Sequence, residues 1–242
     1  MKHVVRSEML RSVSGFSVTA IYLVAVLMPV FVLFSDGTRF ELAGLDAGTA
    51  TIRLLEPLAW CAVSAAFVGA YGVTRECYYG SLGRTLTSVT LSRAFWGKIV
   101  GGAVVGVGTV VGILVVWTLG VGLVLARSGL SLSWDPNAWH LYGGALLGAA
   151  LGAPIGAAVG WIVRNYYAAA ALLIVIPLAL EFTLLRVAPE VARFSPGLAL
   201  AALGVPGHQN RMLEFGPALG VGLAWVVVLI ATAWLVAARR RP

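Results

Sequence analysis

Long apolar runs separated by short charged islands dominate this chain. Charge-free stretches cover residues 12–35, 57–74, 99–126, 136–163, 165–180 and 215–238, with 24, 18, 28, 28, 16 and 24 residues. A helix crosses the hydrocarbon core of a bilayer with about 20 residues. Each run therefore predicts one spanning helix, the fifth continuing past Glu181 to Leu185. None alternates with the period of two that a membrane barrel requires. The expected fold is an all-α integral membrane protein whose residues 1–242 form a single domain. Its spans fall at about 14–35, 56–74, 98–125, 138–163, 166–186 and 216–238.

Three stretches depart from this plain pattern. Before the first run, Val5, Met9, Val13 and Phe16 share a helical face that Lys2, Arg6 and Arg11 largely avoid, as in an amphipathic helix lying in the membrane interface. The basic start resembles a signal peptide. The run after it is long and lacks a small-residue cleavage site, so it reads as a retained first span. Between the fifth and sixth runs, residues 187–216 are long yet partly apolar, and Pro-Gly pairs bracket a Leu/Ala stretch too short to cross. Irregular backbone at membrane depth is tolerated only against protein or a cavity. That favours a re-entrant lid on the outer side over a simple surface loop.

The third stretch is TRECYYGSLGRTLTSVTLSRAFWGK, residues 74–98, with five charges and a series of hydroxyls between two spans. Residues 71–79 continue the second span, and Gly80 and Gly83 allow a turn. Leu82, Leu86 and Val89, with Trp96 further on, then make the stripe of a short interfacial helix. Arg75, Glu76 and Arg84 are placed to form a charge cluster at the turn. Arg93 and Lys98 are expected to anchor the third span at the lipid headgroups.

Composition agrees with a lipid environment. The chain is 60% hydrophobic and 11% charged, with mean hydropathy +0.92, against about 25% charged residues in soluble proteins. The formal net charge of +7 would suit a nucleic-acid ligand, but its placement argues against one. With the N-terminus inside, the inner segments hold eleven basic and two acidic residues, net +9. The outer segments hold six and eight, net −2. This is the positive-inside bias, with both termini cytoplasmic in the cell membrane.

Glycine and proline mark the packing. Gly144, Gly148, Gly152, Gly156 and Gly160 recur every fourth residue along the fourth span. Such a stripe lets another helix approach closely, and tight packing within the chain is preferred to a substrate-facing groove. Gly102/Gly106 and Gly108/Gly112 repeat the spacing in the third span, and Pro29, Pro154 and Pro177 predict kinks.

Catalytic chemistry is missing from the sequence. Gly97-Lys98 lacks the upstream glycine and the following hydroxyl residue of a phosphate loop. His3, His140 and His208 are isolated, and no catalytic or metal-binding spacing occurs. Cys61 and Cys77, sixteen residues apart on one helix, lie about 24 Å from each other, too far for a disulfide. Glu181 is the single in-span acid, which suits a partner or interfacial role better than a proton relay. The chain reads as a translocation path without an energy source.

The 74–98 segment resembles the cytoplasmic segment of ABC-2 type permeases, the membrane subunits of ATP-binding-cassette exporters. Glu76, Gly80-Ser81-Leu82, Arg93 and Lys98 match that family's order. Gly83-Arg84 extends the turn, and Leu91-Ser92 stands where a Pro-containing pair is common. The resemblance implies a separate ATPase subunit, which binds ATP and Mg and grips a coupling helix at about 78–89. The coupling residues would be Glu76, Tyr78, Tyr79, Gly80, Ser81, Leu82, Arg84, Thr85, Leu86 and Val89. It also implies a second permease copy or a related permease, and no cofactor in this chain. The alternatives are a self-contained secondary transporter and a membrane scaffold or immunity protein.

Overall fold

The computed structural model describes residues 44–240, together with Leu10, Leu23, Val26, Leu27, Pro29, Val30 and Leu42. The amphipathic helix and first span expected for residues 1–35 lie outside the described residues, apart from those isolated positions. All regular structure among the described residues is helical. Five helical segments are long and apolar enough to cross a membrane: Ala47–Tyr78, Leu91–Arg127, Pro136–Val163, Tyr166–Val187 and Phe215–Arg239. The chain is thus all-α with the character of a multi-pass membrane protein.

The first of these segments begins nine residues before the expected boundary. Helix α1 (Ala47–Leu55) runs through a tight turn at Glu56–Trp60 into α2 (Cys61–Tyr78). Asp46 starts α1 by accepting from the Thr49 amide at 3.0 Å. Pro57 occupies the first turn of the tighter segment, where a missing N–H costs little. Glu56 hid this continuity in the sequence, because a charge normally ends an apolar run. The outer extension is tied down by Trp117, which donates to the Leu54 carbonyl at 2.8 Å, and by Thr51, which accepts from the Ser133 amide at 3.1 Å.

Helix α2 is the axis of the bundle. Its segment is 94% buried over its most apolar window, against 17% for Phe215–Arg239. Small residues make this enclosure possible. Helix α5 (Pro136–Val163) runs parallel to α2, and its glycines meet α2 in register. A side-chain carbon at Gly152 would lie 2.6 Å from the Ala62 carbonyl oxygen, and one at Gly160 would lie 2.9 Å from that of Ala70. Between them Gly156 abuts the Ala66 carbonyl, while Gly144 abuts the backbone of Leu203 and Gly148 that of Leu200. The stripe is therefore used for packing inside the chain, where close approach maximises dispersion contact without a hydrophobic driving force.

Helix α4 (Leu91–Arg127) packs antiparallel to α2 through Gly102 and Gly106, whereas Gly108 and Gly112 face open space. At 37 residues it is about 55 Å long, well beyond the about 30 Å of a hydrocarbon core. Pro154 sits inside α5 without ending it. The fifth candidate span starts as α6 (Tyr166–Ala170) and ends as α7 (Phe182–Val187). Between them, Ala171–Glu181 winds more widely around Pro177, with i→i+5 bonding such as Phe182 N–H to the Pro177 carbonyl. The expected kink is thus taken up as a change of winding, since Pro177 has no N–H to give the preceding turn.

After α8 (Pro189–Ala192) comes α9 (Pro196–Ala201), the core of the unusual apolar stretch. Leu198, Leu200 and Leu203 are almost wholly buried against α5, the Glu56–Trp60 turn and α10 (Phe215–Arg239). Glu181 secures it: the Gly197 amide donates to Glu181 Oε1 at 3.2 Å, and a side chain at Gly197 would strike that carboxylate.

Candidate functional site

The polar segment folds at the opposite end of the bundle from α9. Helix α2 closes there on Gly80, whose φ of +62° is a conformation glycine adopts without strain. The Ser81 amide reaches back to the Glu76 carbonyl at 2.9 Å, and the Gly80 amide to that of Cys77 at 3.2 Å. This is the Schellman pattern that satisfies the last free carbonyls of a helix. Ser81 then leads into α3 (Leu82–Ser88). Gly83, expected in the turn, is instead helical, exposed and unobstructed. The turn needs one left-handed residue, and Gly80 supplies it. The apolar stripe also stops earlier than expected: α3 ends at Ser88, and Trp96 belongs to α4.

Glu76 holds this corner together. Its Oε1 lies 2.8 Å from Lys98 Nζ, and its Oε2 accepts from the Thr85 hydroxyl at 3.1 Å. Lys98 also donates to the Gly72 carbonyl at 3.1 Å. Both charges are buried, Glu76 being 5% and Lys98 3% exposed. One carboxylate therefore joins the end of α2, the start of α4 and the middle of α3. A pair this enclosed contributes little net stability, but removing one partner leaves an uncompensated buried charge. The pair specifies where α3 sits.

Two expectations concern these charges. Lys98 is buried, and the last turns of α2 offer it a carboxylate and a carbonyl inside the protein. Glu76 turns inward to Lys98, and Arg84 stands exposed on the far face of α3. Arg93 is exposed on the first turn of α4, where an anchoring role fits.

Helix α3 has two distinct faces. Leu82, Thr85, Leu86 and Val89 are half-buried, and Leu82 packs against the cluster that contains Phe95, Trp161 and Trp234. The Phe95 ring centroid lies 5.5 Å from Trp161 and 5.2 Å from Trp234, linking α4 to α5 and α10 beneath α3. Gly83, Arg84, Thr87 and Ser88 are exposed. Beside them Tyr78 and Tyr79 stand more than 60% exposed, stacked edge-on at 5.2 Å, with Tyr78 also against Tyr167. The result is a solvent-facing platform of two tyrosines, one arginine and several hydroxyls on a rigid base.

Sequence reasoning missed the base itself. Phe95, Trp161 and Trp234 come from three helices far apart in the chain, and each alone is an ordinary apolar residue. The chain matches no protein-family model, and no curated protein matches it.

Proposed function

We propose that this chain is the membrane-spanning permease subunit of an ATP-driven exporter, with α3 as the coupling helix for a separate ATPase subunit. The observation that carries this reading is a short helix with an exposed polar face, seated on a buried Glu76–Lys98 pair that reaches α2 and α4. A force applied to α3 passes through Thr85 and Glu76 to both helices without crossing a flexible linker.

In this reading the apolar run at 12–35 adds a sixth span to the five helices, preceded by the amphipathic helix. Both termini and α3 face the cytoplasm of the cell membrane, where basic residues gather, and α9 is a re-entrant lid on the outer side. Two copies of the chain, or this chain with a related permease, enclose the path, and two ATPases bind ATP and Mg. Closure of the ATPase pair favours one permease conformation over the other by differential affinity for it. Glu181 is engaged with the backbone of α9, which suits a structural role better than that of a mobile proton carrier.

The test is whether the chain, purified from its own membrane, brings down a phosphate-loop ATPase, followed by ATP-dependent transport in vesicles. Arg84→Glu and Thr87→Trp on the exposed face of α3 are expected to abolish ATPase binding while leaving the unfolding midpoint of the permease unchanged. Transport that survives ATP depletion, or full ATPase capture by both variants, overturns the proposal.

A further inference from the structure

A groove of about 620 Å³ opens between α3, the start of α4 and the last turn of α10. Its walls are apolar, with Leu82 and Leu86 from α3, Leu91 from α4 and Trp234 from α10, and two guanidiniums line it, Arg164 and Arg240. Arg164 is half-buried, and its backbone takes the left-handed conformation at φ +54° as the residue that ends α5. That position normally goes to glycine or asparagine, because a side chain there costs about 1–2 kcal/mol. A strained residue kept at such a position is a reason to ask what its side chain does.

The two arginines are cross-tied through backbone. Arg164 Nη1 donates to the Arg240 carbonyl at 3.3 Å, and Arg240 Nη1 donates to the Ile162 carbonyl at 3.4 Å. These bonds hold both cations at the C-terminal ends of α5 and α10, where helix dipoles favour positive charge. They use only part of the donor capacity of each guanidinium. Arg164 Nε has no hydrogen-bond partner, and neither arginine is paired with a carboxylate among the described residues. An apolar trough edged by two guanidiniums that no described carboxylate neutralises calls for an amphiphile with an anionic head.

We infer that this groove binds an anionic phospholipid of the leaflet next to α3, its phosphate on Arg164 and Arg240 and its chains against Leu82, Leu86 and Trp234. Basic pockets between membrane helices on the cytoplasmic side are a recurrent way of holding such headgroups. The volume accommodates a headgroup and the upper part of the chains, and the remainder follows the exposed flank of α10 at Leu235 and Val228. The groove belongs to α3 and α10 at once, so a bound lipid braces α3 along its Leu82–Leu86 flank. Lipid composition would then set how firmly α3 is held. The inference rests on the membrane reading, with α3 on the cytoplasmic side, and does not need the ATPase.

The experiment uses the full chain in nanodiscs of phosphatidylcholine, with or without phosphatidylglycerol, so that both faces are accessible. Lipid retention is read by native mass spectrometry after delipidation, and stability by the thermal midpoint. Phosphatidylglycerol is expected to stay bound and raise the midpoint. Arg164→Gln with Arg240→Gln is expected to cut retention by about tenfold or more, the scale of a lost charge-assisted contact. Arg240→Gln alone, at the exposed end of α10, guards against misfolding and is expected to cut retention by a smaller factor. Arg127→Gln, an exposed cation at the far end of α4, is expected to change nothing. Equal behaviour of the two lipids, an equal loss with Arg127→Gln, or a midpoint shift reproduced by inorganic phosphate in phosphatidylcholine discs overturns the inference. Loss of ATPase capture by Arg84→Glu with lipid retention intact would separate this site from the coupling face.

Discussion

Helices α3 and α9 are two solutions to one problem. Each is a single short helix, of seven and six residues, at opposite ends of the α2–α5 pair, and each is tied to a buried glutamate on a neighbouring long helix. Glu181 binds the backbone of α9, whose leucines are almost completely enclosed. Glu76 binds a side-chain hydroxyl of α3, is balanced by Lys98, and leaves half the helix in the open. The first arrangement builds α9 into the core. The second docks α3 on the surface as a part that a partner can push.

A graded set of substitutions tests that contrast. The largest effect is expected for Leu198→Asp, which buries an unpaired charge in α9 and should cost about 4 kcal/mol or more, preventing recovery of folded protein from detergent. The matching Leu86→Asp in α3 should cost about 1 kcal/mol, because Leu86 is half-exposed and the new carboxylate can turn to water. If the two cost the same, α3 is as much core as α9. Next, Glu76→Ala should cost about 3–5 kcal/mol by stranding Lys98, and Glu76→Ala with Lys98→Met should restore most of it. Chemical unfolding of the three proteins measures the difference.

Gly83→Ala is expected to stabilise α3 by about 0.5–1 kcal/mol, since the position is helical and open. Slower amide exchange across residues 82–88 would report it. The smallest effect is on pH. Asp46 caps α1 through two bonds from Thr49, which hold its carboxyl below the usual 3.8. A depressed folded value means that this stabilisation is complete above the usual aspartate range and is lost as pH falls through the folded value. Asp46→Asn should remove that acid-side slope, leaving the midpoint near neutrality almost unchanged.

Much of this is legible in the chain itself. The apolar runs at 57–74, 99–126, 136–163 and 215–238 each became a long helix, because lipid demands internally bonded backbone over a set length. The glycine stripe from Gly144 to Gly160 announced close packing, and Ala62, Ala66 and Ala70 carry the matching repeat on the partner helix. The early start at Ala47 was hidden by Glu56, and the role of Gly83 by a two-glycine turn in which only Gly80 needs positive φ.

Hydropathy and backbone bonding act locally, so the linear chain sets the helices, their approximate lengths and the place where polarity interrupts them. Which charges meet is settled in three dimensions. Glu76 has Arg75 and Arg84 near it in sequence, yet it also reaches Lys98, 22 residues on, because the α2–α4 hairpin folds that ammonium against it in the interior. Arg164 and Arg240, 76 residues apart, share one groove for the same reason. Partner choice among charges depends on three-dimensional distance and burial, and a linear pattern encodes neither.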